Sequence, residues 1–137
     1  MPFARTPFTC GRVEEKSAVW AERSLERGGV RSSLVEKVGH LVRLTSHRSF
    51  PDDPDTRVLL DVDLAILGSA PARFAYYQRA IREEYRWVPE PLYRSRRTAL
   101  LRSFLDRPSV YLTLWFRDRL ERRARQNLSR AVQDRGR

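Results

Sequence analysis

Cysteine is nearly missing from this sequence. Cys10 is the only one among 137 residues, so no disulfide can close within the chain and no cysteine-based zinc cluster can form, a usage that fits a reducing cytoplasm. Histidine is almost as scarce, with only His40 and His47. No apolar run approaches the roughly 20 residues of a membrane-spanning helix. The start, MPFARTPFTCGR, has no sustained apolar stretch of the kind a secretion signal needs. No membrane partner is therefore expected. Period-two alternation between turn signals is absent as well, and with it the mark of half-buried strands. There is no internal repeat and no low-complexity tract.

Charge is what the chain has in excess. The formal net charge is +10, and of 27 basic residues only Lys16 and Lys37 are lysines. Such a balance favours a polyanionic partner. The arginines are nevertheless spread over every segment, with acids often a turn away, and no nucleic-acid-binding motif organises them. Uniform arginine usage of this kind fits GC-rich codon bias as well as it fits phosphate recognition. Nucleic acid is accordingly the less favoured partner.

Helical spacing dominates the rest, and the expected fold class is all-α with about six helices. Residues 1–12 read as an irregular lead-in. The first helix starts at Val13, carries a weak stripe of Val13, Ala18, Val19, Ala21 and Leu25, and stops at Gly28 and Gly29. The second has Ser32 or Ser33 as a cap, Glu36 at capping-box distance, and Leu34, Val38, Leu41, Val42 and Thr45 on one face. His40 reads as a partly buried structural histidine. The loop RSFPDDPD follows, and a third helix runs from Asp55 or Thr56 to Gly68. A fourth has Pro71 in its first turn and Phe74, Tyr77, Ile81 and Tyr85 on one face. The fifth offers Leu92, Ala99, Leu100, Phe104 and Leu105 as core candidates. The last, after Pro108, has an apolar, β-branched start that suits an irregular turn, and ends in a fraying tail over 132–137.

The third helix poses a problem. RVLLDVDLAILG places Asp61 and Asp63 in an otherwise apolar run. At about 100° per residue the two acids project about 200° apart, among leucines and valines. A helix apolar all round is a central, buried helix, so at least one carboxylate leaves water. A buried carboxylate pairs with a cation, protonates or binds a metal. An Asp–Arg pair is the commonplace outcome in a chain this rich in arginine. A metal site is the other, and His47, one loop upstream, supplies a further donor suited to a divalent ion.

Several blocks in order carry a resemblance. LLDVDLAILG, YYQRAIREEYRWVPEPLY, RRTALLRSFLDRPSVYLT and ERRARQNLSR resemble the carboxyl-terminal part of a bacterial group of predicted metal-dependent phosphohydrolases of the HD superfamily. VEEKSA and LVRLTSH are similar to two further segments of that group, so the likeness covers residues 13–131 as one partial helical domain. It implies an all-α bundle, a divalent metal ion as cofactor, and hydrolysis of a phosphate ester or anhydride in a phosphorylated small molecule or nucleotide. It implies metal ligands at Asp63, with Asp61 as second choice, and a metal or phosphate contact at His47. Arg82, in the family-like IREEY, and Arg97, in RRTALL, are candidate phosphate contacts; the alternative for Arg82 is packing and an ion pair with an acid such as Glu84 or a neighbour.

The departures are specific. The group's first histidine and its His-Asp dipeptide precede the segment matched by VEEKSA, whereas here only twelve residues precede Val13, none is histidine, and no His-Asp dipeptide occurs. Val13, Arg48 and Arg96 stand where the group has asparagine, histidine and glycine. The expectation is a truncated, degenerate hydrolase with weak or absent turnover, an incomplete amino-terminal side, and apolar surface left for self-association. A helical binding or scaffold protein is the alternative, and a basic nucleic-acid binder a third.

Overall fold

Glycine closes the first helix. The computed structural model describes residues 12–135. Helix α1, Arg12–Arg27, ends where Gly29 adopts a left-handed backbone (φ 74°). The Gly29 amide donates to the Glu26 carbonyl (3.0 Å) and the Val30 amide to the Leu25 carbonyl (3.0 Å), the paired bonds of a Schellman ending. The chain then reverses into α2, Ser32–Leu44. Its cap position is Arg31, without a side-chain cap, so Ser32 and Ser33 lie inside the helix and the expected capping box is not made. Ala18, Val35 and Gly39 are buried between the two helices, and His40 is exposed, contrary to expectation. One guanidinium fastens the hairpin: Arg43 donates through Nε to Glu15 (2.8 Å) and through Nη1 to Glu22 (2.6 Å).

The chain divides at Asp52–Asp53 into two compact units, where the sequence suggested one domain over 13–131. The second unit begins with α3, Pro54–Asp63, whose first turn holds proline and is capped by Asp53: its carboxylate accepts from the Thr56 amide (2.9 Å). A 3-10 turn, Ala65–Gly68, follows. Helix α4, Pro71–Glu84, and helix α5, Glu90–Leu105, again start on proline-bearing first turns. The last helical run opens as α6, Leu114–Phe116, passes through a π-helical stretch, Arg117–Glu121, and continues as α7, Arg122–Arg135. Taking that run as one, six helices and no strand occur among the described residues, the all-α class the periodicity called for. Helix continues through 132–135, where a frayed tail was expected. No described helix is long and apolar enough to cross a membrane.

The second unit's core gathers Leu64, Leu67, Phe74, Leu101, Phe104 and Leu128 with the wholly buried Val110, Tyr111 and Ala124. On α5 the inward face is Tyr93, Arg97, Leu101 and Phe104; of the expected candidates Phe104 belongs to it, while Leu92 and Ala99 are exposed. Helix α3 is not buried all round either: Leu60 and Asp61 are covered, but Val58, Leu59 and Val62 face solvent. Gly68 is buried because the chain comes close there. A Cβ would stand 2.7 Å from the Leu120 Cβ and 3.0 Å from its carbonyl oxygen.

Two outcomes follow. Gly68→Ala lowers stability by about 1–3 kcal/mol, the cost of overpacking against a backbone that cannot retreat, read from the urea midpoint. In the hairpin, Arg43 holds Glu15 and Glu22 below the usual carboxylate range, chiefly by its hydrogen bonds to them. A carboxyl with a lowered folded pKa stabilises above its unfolded pKa, and that contribution disappears as pH falls through the folded value. Acid therefore loosens the hairpin of the wild type more than that of Arg43→Met, as seen in helicity across an acid titration.

Candidate functional site

Asp61 is the buried acid of the third helix, 1% exposed. Its hydrogen bonds go to neither an arginine nor a metal ligand set but to a stretch of backbone and one hydroxyl, with the charge of Arg107 also acting on it. Oδ1 accepts from the Leu112 amide (2.7 Å), and Oδ2 accepts from the Thr113 amide (2.8 Å) and hydroxyl (2.7 Å). The same segment is held on its other side by Glu121, which accepts from the Val110 (2.7 Å) and Tyr111 (3.2 Å) amides. Arg57 and Arg117 both donate to the Leu112 carbonyl at 3.0 Å. The Tyr111 hydroxyl donates to the Leu64 carbonyl (3.0 Å), and burial pushes that phenol's pKa up. A short irregular segment, largely bends, has thus been given side-chain partners for its amides.

Asp63 is half-buried at the end of α3. His47 belongs to the first unit and adopts a left-handed backbone (φ 57°) at the exit from α2. Among the described residues no three or more His, Cys, Asp or Glu side chains form a group able to hold a metal ion. The described residues do not fit the divalent metal that the resemblance implies.

Arg82 and Arg97 fare differently, for both belong to one place. Helices α4, α5 and α7 border a cavity of about 500 Å³ in the second unit. Four arginines line it, Arg79, Arg82, Arg94 and Arg130, against two carboxylates, Glu90 and Asp134. Phe74, Ala75 and Ala131 supply an apolar part of the wall. The position of α7 is fixed by Asn127, whose buried amide donates to the carbonyls of Leu67 (2.9 Å) and Ser69 (2.9 Å), just before α4.

Arg82 is heavily tethered. Nε donates to Glu90 (2.8 Å), Nη1 to the Tyr85 carbonyl (2.7 Å) and Nη2 to the Val88 carbonyl (3.2 Å), with the guanidinium 4.6 Å from the centre of the Tyr93 ring. Arg97 lies one layer behind the lining, 4% exposed. It donates through Nη2 to the Gln78 side-chain carbonyl (2.8 Å), and Gln78 itself faces the cavity. Its guanidinium stands 5.4 Å from the Tyr77 ring centre, and its Nε has no hydrogen-bond partner. Among the described residues no carboxylate pairs with Arg97. A buried cation with only neutral partners is costly, and it is the feature of this groove that most resembles a waiting anion site.

The sequence reading named Arg82 and Arg97 but missed Gln78, Arg79, Glu90, Arg94 and Arg130. The signal was present. Gln78, Arg79 and Arg82 share an i, i+1, i+4 pattern, and Glu90, Arg94 and Arg97 an i, i+4, i+7 pattern, each one helix face. The ERRARQNLSR block is partly structural: Arg125 donates to Glu121 (3.0 Å) and to the carbonyls of Leu105, Arg107 and Pro108.

Asp61→Ala strands two amides and a hydroxyl and costs about 3 kcal/mol or more, with Asp63→Asn costing less. The loss at Asp61 is the same with and without a chelator, as urea unfolding in both buffers checks. Searched against known proteins, the chain matches no family model, no curated protein and no solved structure.

Proposed function

We propose that the second unit is a helical binding module for small phosphorylated ligands, using the groove between α4, α5 and α7. This keeps the ligand class of the HD-like phosphohydrolases that the sequence resembles and gives the chain the binding role rather than the turnover. One observation carries it: the buried Arg97 guanidinium, without a carboxylate partner, immediately behind the cavity-lining Gln78. Guanidinium recognises phosphate through paired, directional N–H donors. Arg79, Arg94 and Arg130 line the same groove and add field strength to a partly enclosed space, where charge is screened less than in open water.

The apolar wall gives such a ligand a second handle. Phe74, Ala75 and Ala131 border the groove, the usual composition of small-molecule sites, in which a few polar groups orient and apolar surface adds affinity. An organic phosphate therefore binds more tightly than inorganic phosphate.

Titration calorimetry with inorganic phosphate and with phenyl phosphate tests the reading. Wild type binds both, phenyl phosphate more tightly, and both weaken as salt rises. Arg97→Met removes a positive charge one layer behind the ligand, worth about 1–2 kcal/mol at an effective dielectric of about 20, so affinity falls about 5–30-fold. The same substitution leaves thermal stability unchanged or higher, since an apolar side chain replaces a buried cation that no carboxylate compensates. Equal phosphate affinity in wild type and a folded Arg97→Met variant, or no binding by either, overturns the proposal.

A further inference from the structure

Glu90, the first residue of α5, occupies the arginines that a ligand would want. Its Oε2 accepts from Arg82 Nε (2.8 Å) and its Oε1 from Arg94 Nε (3.1 Å), so one carboxylate spans two guanidinium groups on the groove wall. The hydrogen bond from Arg94, with the charge of Arg82, holds the Glu90 carboxyl below the usual carboxylate range, and it carries a full negative charge near neutral pH.

We infer that Glu90 is an intramolecular competitor for this groove, a built-in carboxylate that a phosphate-bearing ligand displaces from Arg82 and Arg94. The inference rests on the binding reading above and adds to it the device that sets affinity.

The two arginines differ in what they do when Glu90 leaves. Arg82 keeps its place, because the Tyr85 and Val88 carbonyls and the Tyr93 ring hold its other side. It is a preformed donor whose Nε alone changes partner. Arg94 is roughly half exposed, and its one ion pair is the i, i+4 contact with Glu90. Once released, its whole guanidinium is available to follow the incoming anion. Glu90 is itself about half exposed, so its carboxylate can turn into water without being buried elsewhere. Half-exposed ion pairs are individually weak, which makes exchange for a phosphate favourable: carboxylate and phosphate use the same guanidinium geometry, and phosphate brings more charge.

Displacing Glu90 also lessens a repulsion. Glu90 and Asp134 are the two carboxylates of the groove, and either one opposes an entering phosphate. Removing the charge at position 90 thus acts twice, by freeing Arg82 and Arg94 and by lowering the negative potential at the mouth.

The test is phenyl phosphate titration of wild type, Glu90→Gln and Glu90→Ala, with nitrogen-15 spectra of the arginine Nε–H groups. Both variants bind about three- to tenfold more tightly than wild type, the scale of two half-exposed ion pairs. In wild type the Arg82 and Arg94 Nε–H signals shift on saturation towards their positions in ligand-bound Glu90→Ala. Binding by wild type with no gain in either variant overturns the competitor and leaves the binding reading standing, in which case Glu90 merely orders Arg94. No binding by any of the three overturns both. A variant that binds more tightly while the wild-type Arg82 and Arg94 signals stay fixed also overturns the competitor, because the gain then comes from bulk charge rather than displacement.

Discussion

Everything in the second unit waits on how residues 110–113 are held. This segment is neither helix nor strand, yet Val110 and Tyr111 are wholly buried. Backbone amides placed so deep need partners, and an unsatisfied one costs as much as a lost hydrogen bond. Asp61 and Glu121 provide them from opposite ends of the unit's sequence, the first from α3 and the second from the start of the last helical run. Once those carboxylates are satisfied, the direction in which the chain enters α6 and α7 is fixed. Asn127 can then reach the carbonyls of Leu67 and Ser69, and α7 becomes one wall of the arginine-lined groove. A carboxylate that looks like a catalytic ligand in the sequence therefore acts as a fastener on which the groove's geometry depends.

The helices were legible because their signals are local. Gly28 and Gly29 stop α1, proline opens α3, α4 and α5, and apolar spacing marks the rest. The role of Asp61 was not, for a physical reason. Its partners are main-chain amides some fifty positions away, and main chain has no letter of its own. Composition also misjudged α3. Val58, Leu59 and Val62 made it look buried on every side, but a side chain's hydrophobicity does not say whether anything covers it, and these three stay exposed. On α5 the expected stripe was rotated from the real one by about one residue, near 100°. The true inner face contains Arg97, and a charged residue in the middle of an apolar stripe hides that stripe.

The groove shows the same division between local and distant information. Arg82 and Arg97 were reachable through the resemblance, and the helical repeat of Glu90, Arg94 and Arg97 was open to inspection. What no pattern disclosed is that Glu90 reaches back across eight positions to Arg82 or that Gln78 stands between Arg97 and the cavity. Those contacts depend on the short turn through residues 85–89, whose carbonyls at Tyr85 and Val88 fasten Arg82. The turn sets the distance between α4 and α5, and with it which charges meet.

The arginines of this chain make the argument for the groove by contrast. Arg43 sits between two carboxylates, Arg125 has Glu121 and three carbonyls, and Arg82 has Glu90 and two carbonyls. Each is a cation whose charge is answered where it stands. Arg97 is more buried than any of these three and is answered by one neutral amide oxygen and an aromatic face. If arginine usage reflected codon bias alone, an arginine at an inward position would be expected either to reach an acid or to be replaced by something apolar, because an uncompensated buried cation works against folding. Its place behind a cavity lined by four further arginines is what the proposed binding role accounts for, the missing negative charge arriving with the ligand. The fold carries a local penalty at Arg97, and under the binding role proposed above an anionic ligand would relieve it, coupling occupancy of the groove to the stability of the unit.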